Sequence, residues 1–122
     1  MISLGKCATG AAVAALGCVL LVGTSAAADA PAGDVAAGKE IAMDRTKGNC
    51  IACHMIPGGQ SPGTIGPALV AIQARYPSFD KLRVQIHDPT VANPMSAMPP
   101  FGRNRLLTEK ELDDVTAYMW SL

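Results

Sequence analysis

Residues 48–59 read GNCIACHMIPGG, two cysteines three positions apart (Cys50 and Cys53) with His54 directly behind the second. Three chemistries use such a triplet, and each demands different company elsewhere in the chain. A thioredoxin-like redox pair sits at the start of a helix after a strand, inside an alternating α/β pattern. A structural zinc site needs about four Cys or His ligands. Covalent haem attachment uses all three residues together. The two sulfurs add across the haem vinyl groups, one turn of chain spans them, and the histidine is held beneath the ring to ligate iron.

The N-terminus narrows the choice. Lys6 precedes a run of small and apolar residues from Ala8 to Val22, and TSAAADA then offers Ala26-x-Ala28 as a small-residue cleavage site. That order is a secretory signal peptide over residues 1–28, leaving a mature domain of 29–122. The apolar run is shorter than the roughly 20 residues a membrane span needs, and no basic stop follows it. ALGC before Val19 is a weak lipoprotein pattern, with Ala15 where a large aliphatic residue is expected. Cleavage removes Cys7 and Cys18, so the mature chain keeps only Cys50 and Cys53 and cannot be a disulfide-stapled fold. It also removes Lys6 from a balance of 10 basic and 10 acidic residues, leaving a net charge near −1. Such a chain has no electrostatic claim on nucleic acid or an anionic membrane. With two Phe, two Tyr and one Trp, a small exported domain is short of core. A large apolar cofactor would supply it.

The mature chain reads as all-α: short helices, and no strand. DVAAGKEIAMDR begins at Asp34, an N-cap residue, with Val35, Gly38 and Ile41 at helical spacing. ALVAIQARY places Leu69, Ile72 and Tyr76 on one face. SFDKLRVQIHDP has Ser78 as cap, Phe79, Leu82 and Ile86 as the buried stripe, and Pro89 as stop. In TEKELDDVTAYMWSL, Thr108 and Glu111 form a capping box, and Leu112, Val115, Tyr118 or Met119, and Leu122 line one face. Two loops rich in glycine and proline, IPGGQSPGTIGPAL and DPTVANPMSAMPPFGRN, separate these segments.

A chain without strands offers no thioredoxin frame. Zinc would have to use Cys50, Cys53, His54 and His87, of which Cys53 and His54 are adjacent and poorly placed to share one tetrahedral ion. Haem c is the reading that accounts for the leader, the triplet and the thin core together. His54 is then one axial ligand. For the other, Met98 fits best: it lies in an irregular loop and is followed by Pro99 and Pro100, which restrict the backbone. Met95, in the same loop, is the alternative, and His87 is a rival at a helix end where a solvated histidine is the plainer explanation. Met43, Met55 and Met119 read as packing or as too close to His54. A thioether ligand favours ferrous iron and fills the sixth position, which points to electron transfer and not to chemistry on a bound small molecule.

The helix with Gly38, CIACH, GPAL at 66–69, a methionine loop and a C-terminal helix with Tyr118 together resemble the class I cytochromes c. The resemblance implies that the first and last helices cross with Gly38 against Tyr118. It also implies that the Pro67 carbonyl accepts the Nδ1 proton of His54. A narrower likeness covers residues 48–122: GNCIACHMIPGG, GTIGPALV, MPPFGRN and LTEKELDDVTAYMWSL, in this order, are similar to the small cytochrome subunit (SoxX) of the Sox thiosulfate-oxidising system. That family implies a larger haem-containing partner (SoxA-like), a thiosulfate carrier protein and a downstream electron-accepting cytochrome, all in the periplasm. It places the catalytic centre, an L-cysteine S-thiosulfotransferase, on the partner. The present chain offers no nucleophile or acid–base pair of its own for that reaction. A free-standing electron shuttle of the same fold is the alternative.

Overall fold

The computed structural model describes residues 32–122; the signal-peptide and lipoprotein readings fall on residues outside that range. Among the described residues four α-helices follow one another: α1 Val35–Met43, α2 Ile72–Arg75, α3 Phe79–His87 and α4 Glu109–Trp120. Single 3-10 turns at Cys50–Ala52 and Pro89–Val91 complete the regular structure, and there is no strand among the described residues.

α1, α3 and α4 each start where the sequence supplies a side-chain oxygen for the orphan N–H groups of the first turn, whereas α2 has no side-chain cap. Asp34 accepts from the amides of Ala36 and Ala37 at 2.8 and 3.1 Å. Ser78 accepts from Lys81 at 3.3 Å. Thr108 and Glu111 form a complete capping box, with the Thr108 amide donating to Glu111 at 3.0 Å. α3 ends at Asp88 because Pro89 cannot continue it and opens the next 3-10 turn instead.

α1 packs against α4, and α3 packs on α4 from another side. In α1 the buried positions are Gly38 and Ala42, while Val35 stays half exposed. The nearest atoms to Gly38 belong to the backbone of Asp114 and Val115, one turn before Tyr118. The crossing therefore needs position 38 to lack a side chain, because this backbone occupies the space a Cβ would take. The buried carboxylate of Asp114 reinforces this crossing. Its Oδ1 accepts the Asp34 amide at 2.7 Å and its Oδ2 accepts from Lys110 at 2.7 Å. Burial pushes the Asp114 carboxyl up, but those two partners outweigh it and the group sits below the usual carboxylate range. Arg83 ties α3 to α4 through Asp113 at 2.6 Å and Glu109 at 2.7 Å.

α4 buries Leu112, Val115, Tyr118 and Met119, and Leu122 is packed against the same core. α3 buries Leu82 and Ile86, whereas Phe79 is only half-buried and meets Trp120 edge-on at 6.2 Å. The helix expected over residues 68–76 is shorter than its apolar pattern. Ala71 adopts a left-handed conformation (φ 49°) and gives its amide to the Leu122 carbonyl at 2.7 Å, so only Ile72–Arg75 is helical. Leu69 and Tyr76 still pack against the core from the flanking chain.

Candidate haem site

The 3-10 turn at Cys50–Ala52 is entered from Asn49, itself left-handed (φ 47°). Its amides close on each other tightly: Ala52 donates to Asn49 at 3.0 Å and His54 to Cys50 at 2.9 Å. Ile51 points into the protein core at 4% exposure, which leaves Cys50, Cys53 and His54 on the other side of the turn. There they line a cavity of about 600 Å³, within the ~300–1,000 Å³ typical of cofactor sites.

The glycine- and proline-rich loop after His54 folds back under this turn. Gly63 donates to Ile51, Gly66 to Cys53 and Leu69 to Met55, each at 2.8 Å. Gly66 lies so close to the imidazole that any Cβ there would fall on the ring. One residue later the Pro67 carbonyl oxygen is 2.7 Å from His54 Nδ1. A carbonyl can only accept, so the proton sits on Nδ1 and Nε2 keeps its lone pair.

Ile72, Leu82, Ile86, Phe101, Leu107, Val115 and Met119 form most of the apolar wall, with Leu69 and Tyr76 beside them. Met98 and Pro99 belong to the lining as well; Met95 does not and is 89% exposed. His87 is not in the lining either. Its ring is covered by the backbone of Gly102, where an added Cβ would strike it. Arg45, Lys47 and Arg75 contribute cationic groups to the lining, Arg75 being held by the Ala68 carbonyl at 2.8 Å.

The arrangement discriminates among the chemistries open to a CxxCH triplet. Burial pushes the Cys50 thiol up to about 11, far from the depressed values of redox-active cysteines. No three His, Cys, Asp or Glu side chains gather as a metal cluster among the described residues. What the geometry offers is a large apolar slot with two thiols and an oriented imidazole at its wall, a thioether in its lining and cations among its polar groups. This donor set fits a haem.

A family model of cytochrome c matches residues 35–122. The chain belongs to the cytochrome c family. Membership implies a covalently bound haem c and electron transfer as the work of the domain. The cytochrome superimposes on a chain of the crystal structure of SoxXA from P. pantotrophus with a TM-score of 0.65 at 25% identity, covering 71% of this chain and 80% of that one. It is also 36% identical over 74 residues to an uncharacterized lipoprotein of Aquifex aeolicus (strain VF5), a match covering 60% of the cytochrome. That match spans 36% of the relative, so little more than a third of its length is shared. No helix among the described residues of the cytochrome is long and apolar enough to cross a membrane.

Asn49 and Gly66 lie inside motifs the sequence displays, but their roles in the site come from the structure. The asparagine at position 49 is a local signal for its positive φ, since asparagine tolerates that region better than most residues.

Proposed function

We propose that this cytochrome is the electron-transfer subunit of a SoxXA-type complex in the periplasm, with haem c attached through Cys50 and Cys53 and ligated by His54 and Met98. The observation that carries the haem assignment is that these four side chains line one cavity. The Sox assignment is supported by the likeness to a SoxXA chain and by the motifs over residues 48–122.

Each side chain has a distinct task. Cys50 and Cys53 would hold the haem through thioether links, which would leave neither thiol for redox chemistry. The Pro67 carbonyl holds the His54 ring in one tautomer and raises the basicity of Nε2. The apolar wall from α3 and α4 keeps water away from the site, which limits reorganisation when charge changes. Met98 would supply a soft neutral donor that favours the reduced state. A bound haem c supplies one-electron storage between ferric and ferrous iron. The thiosulfate reaction joins that anion to a carrier cysteine with release of two electrons. Its catalytic centre belongs to a larger haem-containing partner, and this chain receives electrons for a downstream cytochrome.

The test is isolation of the protein from its native periplasm under mild conditions, with intact mass and haem count. Co-elution with a larger cytochrome supports the reading. Recovery as a lone chain with one haem would reduce the function to that of a free-standing shuttle.

A further inference from the structure

Beyond the packing of Met98 against the core, the loop that carries it is hydrogen-bonded to the domain only at its base. Among the described residues, the hydrogen bonds of residues 92–99 stay within residues 89–99. Ala92 and Asn93 donate to Pro89, Ser96 to Asn93, Met95 to the Asn93 side chain and Met98 to the Ser96 hydroxyl. They shape the loop but do not fix it to the domain.

The base is different. The amides of Gly102 and Arg103 both donate to the His87 carbonyl at 3.1 Å. Gly102 stacks on the His87 ring so tightly that no side chain fits at position 102. Asp88 then joins the two feet of the loop. Its Oδ1 accepts from the Thr90 amide at 3.0 Å and the Thr90 hydroxyl at 2.6 Å, while its Oδ2 accepts from Arg103 at 3.0 Å. Arg103 also donates to the Thr90 hydroxyl at 2.9 Å. Asp88 is nearly buried, with a side-chain exposure of 12%. Between the feet, Pro99 and Pro100 limit how far the chain can flex beside the methionine. The base thus fixes where both ends of the Met98 loop leave the domain.

We infer that Asp88 and Arg103, with Thr90 and the His87–Gly102 contact, form a clamp that positions Met98 in the haem cavity and governs how easily that sulfur leaves it. This rests on the reading of Met98 as the sixth ligand. Asp88 and Arg103 touch no cofactor themselves and act as positioning residues through the loop. Opening the clamp shifts the population toward a swung-out loop, and an added ligand for iron reports that shift directly.

Imidazole binding to the ferric holoprotein measures it, since imidazole competes with Met98 for the same position. The Arg103→Met variant should bind imidazole roughly fivefold more tightly than wild type, the scale of losing the half-exposed guanidinium's bonds to Asp88 and Thr90. Arg103→Lys keeps a charged donor and should restore an affinity close to wild type. Arg83→Met removes an arginine pairing of α3 with α4 and should leave imidazole affinity unchanged while lowering thermal stability. In a Met98→Ala background, Arg103→Met should add nothing. Wild-type affinity in Arg103→Met would overturn the clamp. So would an equal gain in the Met98→Ala background, because the effect would then not pass through the methionine. The ligand reading is tested separately by Met98→Ala alone: if that variant keeps the wild-type ferric spectrum and imidazole affinity, Met98 is not the ligand and the clamp has nothing to position.

Discussion

A single methyl group at position 66 is the sharpest perturbation of the site. Gly66 sits over the His54 imidazole, and a Cβ there would overlap ring atoms. Neither side can yield freely. The ring is held by its 2.7 Å bond to Pro67, and the loop is held by the 2.8 Å bond from the Gly66 amide to Cys53. Overpacking of this kind costs about 1–3 kcal/mol, and loss of the ring's hydrogen bond adds about 1 kcal/mol. Gly66→Ala should therefore destabilise the holoprotein by about 2–4 kcal/mol, or roughly 10–20 °C in Tm for a domain of this size. The reduction potential should rise, because an imidazole that has lost its acceptor donates less to ferric iron. Gly58→Ala is the control. Gly58 has open space around it but φ 76°, so its alanine variant should cost only the ~1–2 kcal/mol of a left-handed residue and leave the potential alone. Thermal melts and redox titration of both variants decide the matter. A Gly66→Ala protein with wild-type Tm and potential would refute the close-approach argument.

Other expectations follow from the same packing. Gly38→Val should push α1 off the Asp114–Val115 backbone and cost about 3 kcal/mol or more in denaturant titration; a loss under 1 kcal/mol would show that the crossing can relax. Asp114→Ala strands the Asp34 amide and should cost about 2 kcal/mol, whereas a neutral result would mean that water replaces the carboxylate. Glu111, paired to Lys47 and accepting the Thr108 amide, lies at about 2 against an ordinary 4.5. A depressed folded-state value stabilises fully above about pH 4.5 and fades as pH falls toward 2. With Lys47 half exposed, the contribution should be about 1 kcal/mol. Glu111→Gln should flatten that acid limb, and an unchanged limb would contradict the pairing. Finally, Cys50→Ser with Cys53→Ser should abolish covalent haem and leave a poorly folded chain by circular dichroism, since the cavity would be an unfilled core; a well-folded double variant would count against haem as core.

What the sequence made legible was the chemistry that acts over a few residues. Asp34, Ser78 and the Thr108–Glu111 box start their helices because a cap needs only an oxygen and an amide close by. The CxxCH turn is equally local. What escaped depends on partners far along the chain. Ala71 leaves the helix because its amide meets the carbonyl of Leu122, which no periodicity at residues 68–76 can announce. Asp114 reads as a solvated charge on a helix face, yet it is buried under the start of α1. Met98 differs locally from Met95 by the Pro99–Pro100 pair behind it, and Met98 joins the cavity lining while Met95 stays in solvent.

We propose that this chain is the electron exit of a thiosulfate-oxidising complex. The most direct measurement follows the absorbance of its haem after mixing the native complex with thiosulfate and the thiol-bearing carrier protein. Rapid reduction is expected when partner, carrier and thiosulfate are all present, and none when any one is omitted. Reduction of the isolated chain by thiosulfate at the same rate, or an oxidised haem in the complete mixture, would contradict it.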